Sequence, residues 1–432
     1  MQKQSSKLGR KAYERQYEPE HKVHAQCKEA VKRYKNNLKY TKKHHWRDWL
    51  KKLEEPDIWT ANHYVTAPVT DGRKARIPVL KHKVDGQKVS ARTNSEKSAA
   101  LAKGFFPPKP AENSVPPNVK YPRPCQGGTK ITAKQIQRQL QKLKPFKAPG
   151  PDGIPNVVLM KYTDLLTSRM LSIYNAMYKW KLIYKLWKLF NTVVLRKPGK
   201  PKYDIPKAYR PIALLNTLWK VLTVVVVGQL TYMTEKHQLL PENHFGGWPG
   251  CMTTDAMHLL ANTIKTSWRA GKVTSVLFLD IKGVFPNMVP SRLEHNMHKR
   301  KVPRKIVDFI HNMLQGRVTT LKFNGYASEP ISIDNGIGQG DPLSMGIYQY
   351  YNADLLDIPR EKGESTMAYV DNSVMIAIAD MFLEVHEKLS SMMTRAGGVA
   401  EWSSQHNSPL EYSKLMLVDF THRCSPKQRE VL

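Results

Sequence analysis

The sequence has 432 residues, of which 68 are Lys or Arg and 36 are Asp or Glu, so its net charge is +32 at neutral pH. This length is sufficient for two or three domains and a sizeable buried core. The excess of positive charge favours a polyanionic partner, with nucleic acid as the first expectation. The four cysteines lie far apart without a CxxC pair, which argues against a zinc ribbon and a disulfide framework and fits a reducing compartment.

The first third of the chain is its most basic part. Residues 1–150 contain 34 Lys or Arg against 12 Asp or Glu. Within it, residues 20–53 place aromatic and Leu side chains at loosely helical spacing among Lys, His and Gln, which predicts basic helices. These helices could contact nucleic acid or simply present a solvated face, and both interpretations stay open. The N-terminus has no apolar stretch of the signal-peptide kind, so we expect a protein that is not secreted and that acts in the nucleus, the cytoplasm or both.

A proline-rich segment marks the main boundary. Seven prolines lie between Pro107 and Pro124, too many for a helix or a central strand. We therefore expect an extended linker, or a segment draped over a surface. The chain is divided accordingly into a basic helical extension (1–106), the Pro-rich linker (107–130) and two further regions (131–275 and 276–432).

Helices and short strands alternate after the linker. Thr132–Lys144 carries its apolar residues on one helical face, and Lys147–Gly153 has the Pro and Gly content of a tight loop. The apolar stretch Leu214–Leu230 is too short and too interrupted to span a bilayer, which predicts a core helix. The apolar runs that predict strands are Thr192–Leu195, Val276–Leu279, Val318–Phe323, Ile331–Ile333, Met367–Val370 and Val374–Ala379.

Two aspartates lie at predicted strand ends. Asp280 follows an apolar strand, and Asp371 lies with Asn372 at the turn of a predicted hairpin. Carboxylates from neighbouring strand ends suit Mg²⁺, which takes oxygen ligands and bridges substrate phosphates, and Mn²⁺ is an alternative. Two such ions, about 3.5–4 Å apart, can activate a 3′-hydroxyl and stabilise a leaving pyrophosphate. Taken singly, each aspartate is more typical of a structural turn-forming residue than of a metal ligand.

The motifs around these aspartates follow the order found in one family. Phe278–Pro286 and Asn335–Ser344 resemble the first two catalytic motifs of reverse transcriptases, and Tyr369–Asn372 resembles their tyrosine-X-Asp-Asp signature. Motifs similar to those of the non-LTR (LINE-like) branch occur at Lys147–Pro155, Val194–Gly199, Tyr209–Ile212, Phe245–Gly250, Thr253–Ala256 and Ser413–Lys414. Over residues 130 to 420 the sequence therefore resembles the RNA-directed DNA polymerase of a non-LTR retrotransposon.

This resemblance implies an α+β fold of the right-hand polymerase type. The fingers would occupy 131–275 and a palm with an antiparallel sheet would occupy 276–432, with the thumb missing or truncated. The implied partners are an RNA template, a DNA primer and deoxynucleoside triphosphates, together with two Mg²⁺ ions and without a membrane.

The resemblance also implies roles for single residues. Asp280 and Asp371 would bind the metal, with Asn372 as a weakened third ligand, and Lys414 would protonate pyrophosphate. Arg210 offers a planar, permanently charged fork for phosphate oxygens. The remaining nucleotide-binding residues would be Lys197 on the triphosphate, Phe285 as an aromatic gate against a ribose 2′-hydroxyl, and Gln339 and Gly340 lining the nucleotide and template pocket.

The sequence departs from the family pattern at three points. Asn372 stands where a second Asp is usual, and an amide cannot offset cation charge, which predicts weaker metal binding and a higher barrier. Trp248 and Cys251 stand where arginines are more usual, and an endonuclease, a thumb or RNase H is not recognisable. Two alternatives therefore remain beside an active polymerase: a catalytically inactive RNA/DNA-binding remnant, and a host-recruited maturase or splicing factor that binds a specific intron RNA.

Overall fold

The structure is a computed structural model, and it describes residues 6, 8, 9, 11, 12, 14, 15, 18, 20–51, 76–84, 87–112, 114–127, 130–247 and 251–422. Trp248 lies outside them. Contacts divide the chain into two units, Met1–Lys74 and Ala75–Leu432. In the first unit, α1 (Lys22–Lys51) confirms the predicted basic helix, and Val23 alone is buried among its described side chains.

The second unit begins with a hairpin and a helix. Strand β1 (Leu80–Val84) pairs antiparallel with β2 (Gln87–Ala91), and α2 (Asn94–Phe105) follows. A capping box starts this helix, because Thr93 and Glu96 satisfy each other's backbone N–H groups. The buried residues that this part shares in one core with later strands are Leu80, Leu101, Phe105, Tyr209 and Leu321. The domain boundaries at residues 106, 130 and 275 remain predictions.

In its described residues, the Pro-rich segment forms no helix or strand and lies against the later helix Pro290–Lys299 and the residues that follow it. The Tyr121 hydroxyl hydrogen-bonds Nδ1 of His295 over 3.0 Å, and the Cys125 N–H donates to the Lys301 carbonyl over 2.8 Å. Arg292 donates to the Ser114 carbonyl over 3.1 Å. These contacts give the segment's backbone partners without a sheet or helix.

Two five-stranded sheets organise the rest of this unit. Sheet I has the order β4-β3-β7-β8, with β9 also paired to β7, and sheet II has the order β12-β6-β11-β10-β5. The strands of sheet I are β3 (Leu189–Arg196), β4 (Tyr209–Leu214), β7 (Arg317–Phe323), β8 (Tyr326–Ala327) and β9 (Ile331–Ile333). The strands of sheet II are β5 (His244–Phe245), β6 (Val273–Asp280), β10 (Glu364–Tyr369), β11 (Asn372–Ala379) and β12 (Met416–Phe420). Every predicted strand run lies mainly within one of them.

Sheet II is antiparallel at three of its four strand pairs. These pairs include the strand that ends at Asp280 and the two strands that flank Asp371, as the expected antiparallel sheet requires, whereas β5 pairs in parallel with β10. The β5 strand has only two residues, too short for a periodic signal to reveal it. Its pairing depends on where the intervening helices carry the chain.

The remaining described helices cover the sheets. All but one contribute buried residues to one large core, whereas the buried residues of the helix Thr253–Arg269 pack with sheet II in a separate cluster. These helices are α3 (Ala133–Lys142), α4 (Asn156–Lys161), α5 (Thr163–Trp180), α6 (Thr217–His237), α7 (Thr253–Arg269), α8 (Val284–Asn287), α9 (Pro290–Lys299), α10 (Arg304–Leu314), α11 (Pro342–Asn352), α12 (Phe382–Thr394) and α13 (Val399–Gln405). Short 3₁₀ helices lie at Lys185–Lys188, Pro206–Ala208, Ala353–Asp357 and Tyr412–Lys414. Helix α6 is the predicted core helix, although Leu214 instead ends β4 and the helix continues to His237. In the described parts of the chain, every helix is too short or too polar to cross a membrane.

Candidate active site

Asp280 and Asp371 meet at one end of sheet II. Asp280 is the last residue of β6 and faces Asn372 across the antiparallel ladder. Because Tyr369 pairs with Asn372, the β10–β11 turn consists of Val370 and Asp371. The turn therefore begins one residue earlier than the sequence suggested, and Asn372 belongs to β11. Partial burial and then the charge of Asp280 raise the pKa of the Asp371 carboxyl, so the two acids are close enough to repel.

Lys414 joins this pair from the end of the chain. Its ammonium donates a hydrogen bond to Oδ2 of Asp280 over 3.0 Å. The 3₁₀ helix that carries Lys414 is attached to the same strand end, because the Glu411 N–H donates to the Asp280 carbonyl over 2.8 Å. The Asn372 amide donates to Oδ1 of Asp371 over 3.4 Å. The structure thus brings together all four residues expected at the catalytic centre.

A cluster of cations surrounds Lys197, and one of its members is the Lys414 that bonds Asp280. Lys197 follows β3 and Arg210 lies on the neighbouring strand β4, where Leu195 pairs with Arg210. Burial lowers the pKa of the Lys197 ammonium, and the nearby charges that add to this effect belong to Arg210, Lys200, Lys414 and Lys207. In the parts of the chain that are described, no carboxylate forms an ion pair with Lys197 or Arg210. Mutually repelling cations of this kind suit a multiply charged anion such as a triphosphate.

The Phe285 side chain is half-buried next to the loop that precedes α11. Its ring meets the Tyr348 ring edge-on, with 5.7 Å between the ring centroids. Its carbonyl accepts a hydrogen bond from the Ile337 N–H over 2.8 Å. A Cβ at Gly336 would lie 2.6 Å from the Pro286 carbonyl oxygen, so only glycine fits this approach. The expected gate residue and the expected pocket loop are therefore in direct contact.

The same loop also contacts β4 on its other side. The Gln339 carbonyl accepts a hydrogen bond from the Ala213 N–H over 2.7 Å. Gly340 has φ of +119°, and a Cβ there would lie 2.7 Å from the Ala213 carbonyl oxygen. Gln339 and Gly340 thus lie against β4 of sheet I, and their expected place in a nucleotide pocket stays a prediction.

Sequence reasoning missed Arg317 and Asp341, which support this loop. Arg317 is buried at the start of β7 and donates to the Gly336 carbonyl over 2.7 Å. Burial lowers the pKa of its guanidinium to about 10, and it raises the pKa of the Asp341 carboxyl. Asp341 accepts from the Leu343 N–H and is followed by Pro342, so a helix cap was readable here. Arg317 gave no such signal, because its partners in the loop are the backbone carbonyls of Asn335 and Gly336, which are 18 and 19 residues away in the sequence.

The donor set fits a divalent cation. Asp280 and Asp371 supply carboxylate oxygens and Asn372 can supply an amide oxygen, which are the ligands that hard cations prefer. The repulsion that raises the pKa of Asp371 would be relieved by a bound cation. Within the described residues, no group of three or more His, Cys, Asp and Glu side chains is arranged to hold a metal ion. The chain therefore offers two carboxylates where a third would strengthen the site.

Comparison with known proteins gives one consistent result. Residues 195–400 match the family model described as reverse transcriptase (RNA-dependent DNA polymerase). The probable RNA-directed DNA polymerase from transposon X-element of Drosophila melanogaster is 26% identical over 279 residues, covering 64% of this chain and 30% of that protein. The probable RNA-directed DNA polymerase from transposon BS of the same species is 26% identical over 225 residues, covering 52% and 25%.

A third relative is the RNA-directed DNA polymerase from mobile element jockey of Drosophila funebris, which is 23% identical over 300 residues, covering 68% of this chain and 32% of that protein. The chain thus spans less than a third of the length of these relatives. Among solved structures, apo telomerase from Candida tropicalis matches 64% of this chain and 58% of that chain at 11% identity. Its TM-score of 0.39 is too low to support an argument.

Proposed function

We propose that the chain is a reverse transcriptase of the non-LTR retrotransposon kind and that it extends a DNA primer on an RNA template. The match of residues 195–400 to the reverse transcriptase family model and the similarity to the X-element and jockey polymerases support this proposal. In this proposal sheet II is the palm and sheet I belongs to the fingers. Since β7, β8 and β9 of sheet I follow residue 275, the fingers then extend past the boundary expected from the sequence. The observation that carries the proposal is the strand register that places Asp280 opposite Asn372 and beside Asp371. The Lys414 that bonds Asp280 also lies close enough to Lys197 for their charges to interact.

Asp280 and Asp371 would hold Mg²⁺, with Asn372 as the weaker third ligand. When bound, the divalent cation lowers the pKa of the primer 3′-hydroxyl and offsets negative charge on the phosphates. Mn²⁺ would suit the same oxygen ligands. Since Asn372 brings no charge to the site, we propose a slower enzyme than one with an Asp at that position.

The other site residues would position the nucleotide. Arg210 and Lys197 bind the triphosphate oxygens, and their mutual repulsion falls when the anion enters. The Phe285 ring, supported by Tyr348, excludes a ribose 2′-hydroxyl by its bulk, while Gln339 and Gly340 line the pocket beside it. Lys414 lies within hydrogen-bond reach of Asp280 and could give a proton to the leaving pyrophosphate.

A protein that binds nucleic acid without turnover is the second candidate. The observation that favours it is the Asn372 amide, which donates toward Asp371 at the place where a third carboxylate would complete the metal site. The net charge of +32 would then serve binding alone.

Primer extension on an RNA template with Mg²⁺ separates the two candidates. The variants are Asp280→Ala, which removes a proposed metal ligand, and Asn372→Asp, which restores the usual pair. Extension by the wild type that is lost in Asp280→Ala supports the polymerase and excludes the binding-only candidate. Extension by Asn372→Asp alone identifies an impaired enzyme. If all three proteins are silent while binding RNA with a steep salt dependence, the polymerase proposal fails.

A further inference from the structure

The turn that presents Asp371 has an unfavourable backbone. Val370 has φ of +57°, a left-handed conformation that a β-branched residue rarely adopts without outside support. Asp371 is the next residue, so the direction of its carboxylate depends on the Val370 backbone. Glycine is the usual residue at such a position, because it has no Cβ to clash. The contacts that hold Val370 therefore bear on the proposed metal site.

Two buried side chains support the Val370 carbonyl, one directly and the other through the first. Asn352, the last residue of α11, donates from Nδ2 to this carbonyl over 2.7 Å. Since the amide nitrogen faces Val370, the amide oxygen Oδ1 faces His244 of β5. The His244 Nε2 lies 2.7 Å from this oxygen and, because an amide oxygen only accepts, Nε2 donates the hydrogen bond. Asn352 has no exposed surface and His244 is 4% exposed. The result is one directed chain of hydrogen bonds from His244 through Asn352 to the turn.

The same strand holds the other side of the turn. The Val370 N–H donates to the Phe245 carbonyl over 3.2 Å. Gly246 follows, and a Cβ there would lie 2.7 Å from Cγ2 of Val370, so the strand lies tight against the valine side chain. Val370 is thus held through its amide, its carbonyl and its side chain.

We infer that His244 and Asn352 are positioning residues that keep Val370 in its left-handed conformation and so direct the Asp371 carboxylate toward the cation site beside Asp280. The inference rests on the proposed function only in treating Asp371 as a metal ligand. Burial lowers the pKa of His244 to about 4, so its ring is neutral at physiological pH and the single ring proton is the one given to Asn352.

Mn²⁺ binding to the full chain, followed by electron paramagnetic resonance, is the first test. Asn352→Leu should bind Mn²⁺ about 10-fold more weakly or worse, since support residues behind metal ligands are commonly worth that much. His244→Leu should also weaken binding, whereas His244→Gln keeps an N–H donor and should stay near the wild type. Asn296→Leu is the control, because Asn296 is equally buried but donates to the Tyr350 and Tyr351 carbonyls.

A rescue distinguishes positioning from a general loss of stability. Adding Val370→Gly to Asn352→Leu should restore Mn²⁺ affinity, because glycine adopts positive φ without the hydrogen bond from Asn352. The inference would be overturned if Asn352→Leu bound Mn²⁺ with wild-type affinity. It would also be overturned if Asn352→Leu lost Mn²⁺ affinity and Val370→Gly did not restore it.

Hydrogen exchange of the Val370 amide tests, without any metal, whether Asn352 and His244 support the turn. We expect several-fold faster exchange in Asn352→Leu than in the wild type and in Asn296→Leu, and equal rates would overturn the inference. If the wild type binds no Mn²⁺, the metal site in the proposed function is wrong. The exchange rates still decide whether Asn352 supports the Val370 turn.

Discussion

The Lys414 ammonium lies 3.0 Å from Oδ2 of Asp280, although the two residues are 134 positions apart in the sequence. A lysine here has two opposite effects on the proposed chemistry. It neutralises a carboxylate that a divalent cation would need, and it places a proton donor beside that cation's phosphate ligands. The two effects can be separated by measuring metal affinity apart from turnover.

Removal of the Lys414 charge should strengthen metal binding. Lys414→Met frees the Asp280 carboxylate, and a partly exposed ion pair is worth about 0.2–1 kcal/mol, so Mn²⁺ affinity should rise roughly 1.5- to 5-fold. Titration with Mn²⁺ measures this, with Lys414→Arg as the control that keeps the charge. Weaker Mn²⁺ binding in Lys414→Met would show that the lysine assists the site rather than competes for it.

The glycines of the pocket loop should respond unequally to alanine. Gly340 has φ of +119° and its added Cβ would lie 2.7 Å from the Ala213 carbonyl oxygen, so Gly340→Ala should cost about 1–3 kcal/mol. At Gly338 the nearest atom to an added Cβ is Cβ of Ala213 at 3.6 Å, and Gly338→Ala should stay within about 0.5 kcal/mol. Urea unfolding compares them. Equal losses would mean that the loop moves aside for the new methyl group.

Removing the Tyr348 hydroxyl should stabilise the protein. This hydroxyl is buried, and among the described residues it has no hydrogen-bond partner. Tyr348→Phe should therefore raise the free energy of unfolding by up to about 1 kcal/mol while keeping the ring against Phe285. Tyr350→Phe is the matched control, since the Tyr350 hydroxyl bonds Thr234 and its loss should cost about 1 kcal/mol. Thermal melting ranks the variants, and a lower Tm for Tyr348→Phe would reveal a partner such as water.

Two buried histidines should make the fold sensitive to acid. Burial lowers the pKa of His406 to about 3 and that of His244 to about 4, against about 6.5 for an unfolded histidine. Because the folded pKa is the lower one, the unfolded chain binds the proton first, and stability present above pH 6.5 falls as the pH drops toward 4. The expected loss is about 1.4 kcal/mol per pH unit for each histidine.

Urea midpoints between pH 7 and pH 4 check this expectation. His406→Gln should be less stable at pH 7, because it loses the bond to the Trp402 carbonyl, but should show a shallower decline below pH 6.5. His237→Gln, at an exposed position, should decline like the wild type. An unchanged slope in His406→Gln would assign the acid sensitivity to other groups.

Most strands and the order of the site motifs were accessible from the sequence, because they depend on local pattern. Apolar runs marked β6 and β11, and Asp280 at the end of β6 and Asp371 just before β11 were therefore expected at neighbouring strand ends. The turn between β10 and β11 lies one residue earlier in the structure than the sequence suggested, because nothing in the sequence indicates that Val370 adopts a positive φ. The roles of Arg210, Lys197 and Gln339 remain predictions, although Lys197 lies close enough to Arg210 for their charges to interact and the Gln339 carbonyl bonds the Ala213 N–H on the strand that carries Arg210.

The sequence by itself determined the charge of the protein, its apolar strands and the identity of the acids at their ends, because each of these depends only on composition or on residues that are neighbours in the sequence. Only the tertiary structure decided which distant groups complete the site. The contacts of Lys414 with Asp280, Asn352 with Val370, and Arg317 with Gly336 join separate elements. Such partners are chosen by how sheets and helices pack, and a buried polar group takes whichever partner the packing brings within reach.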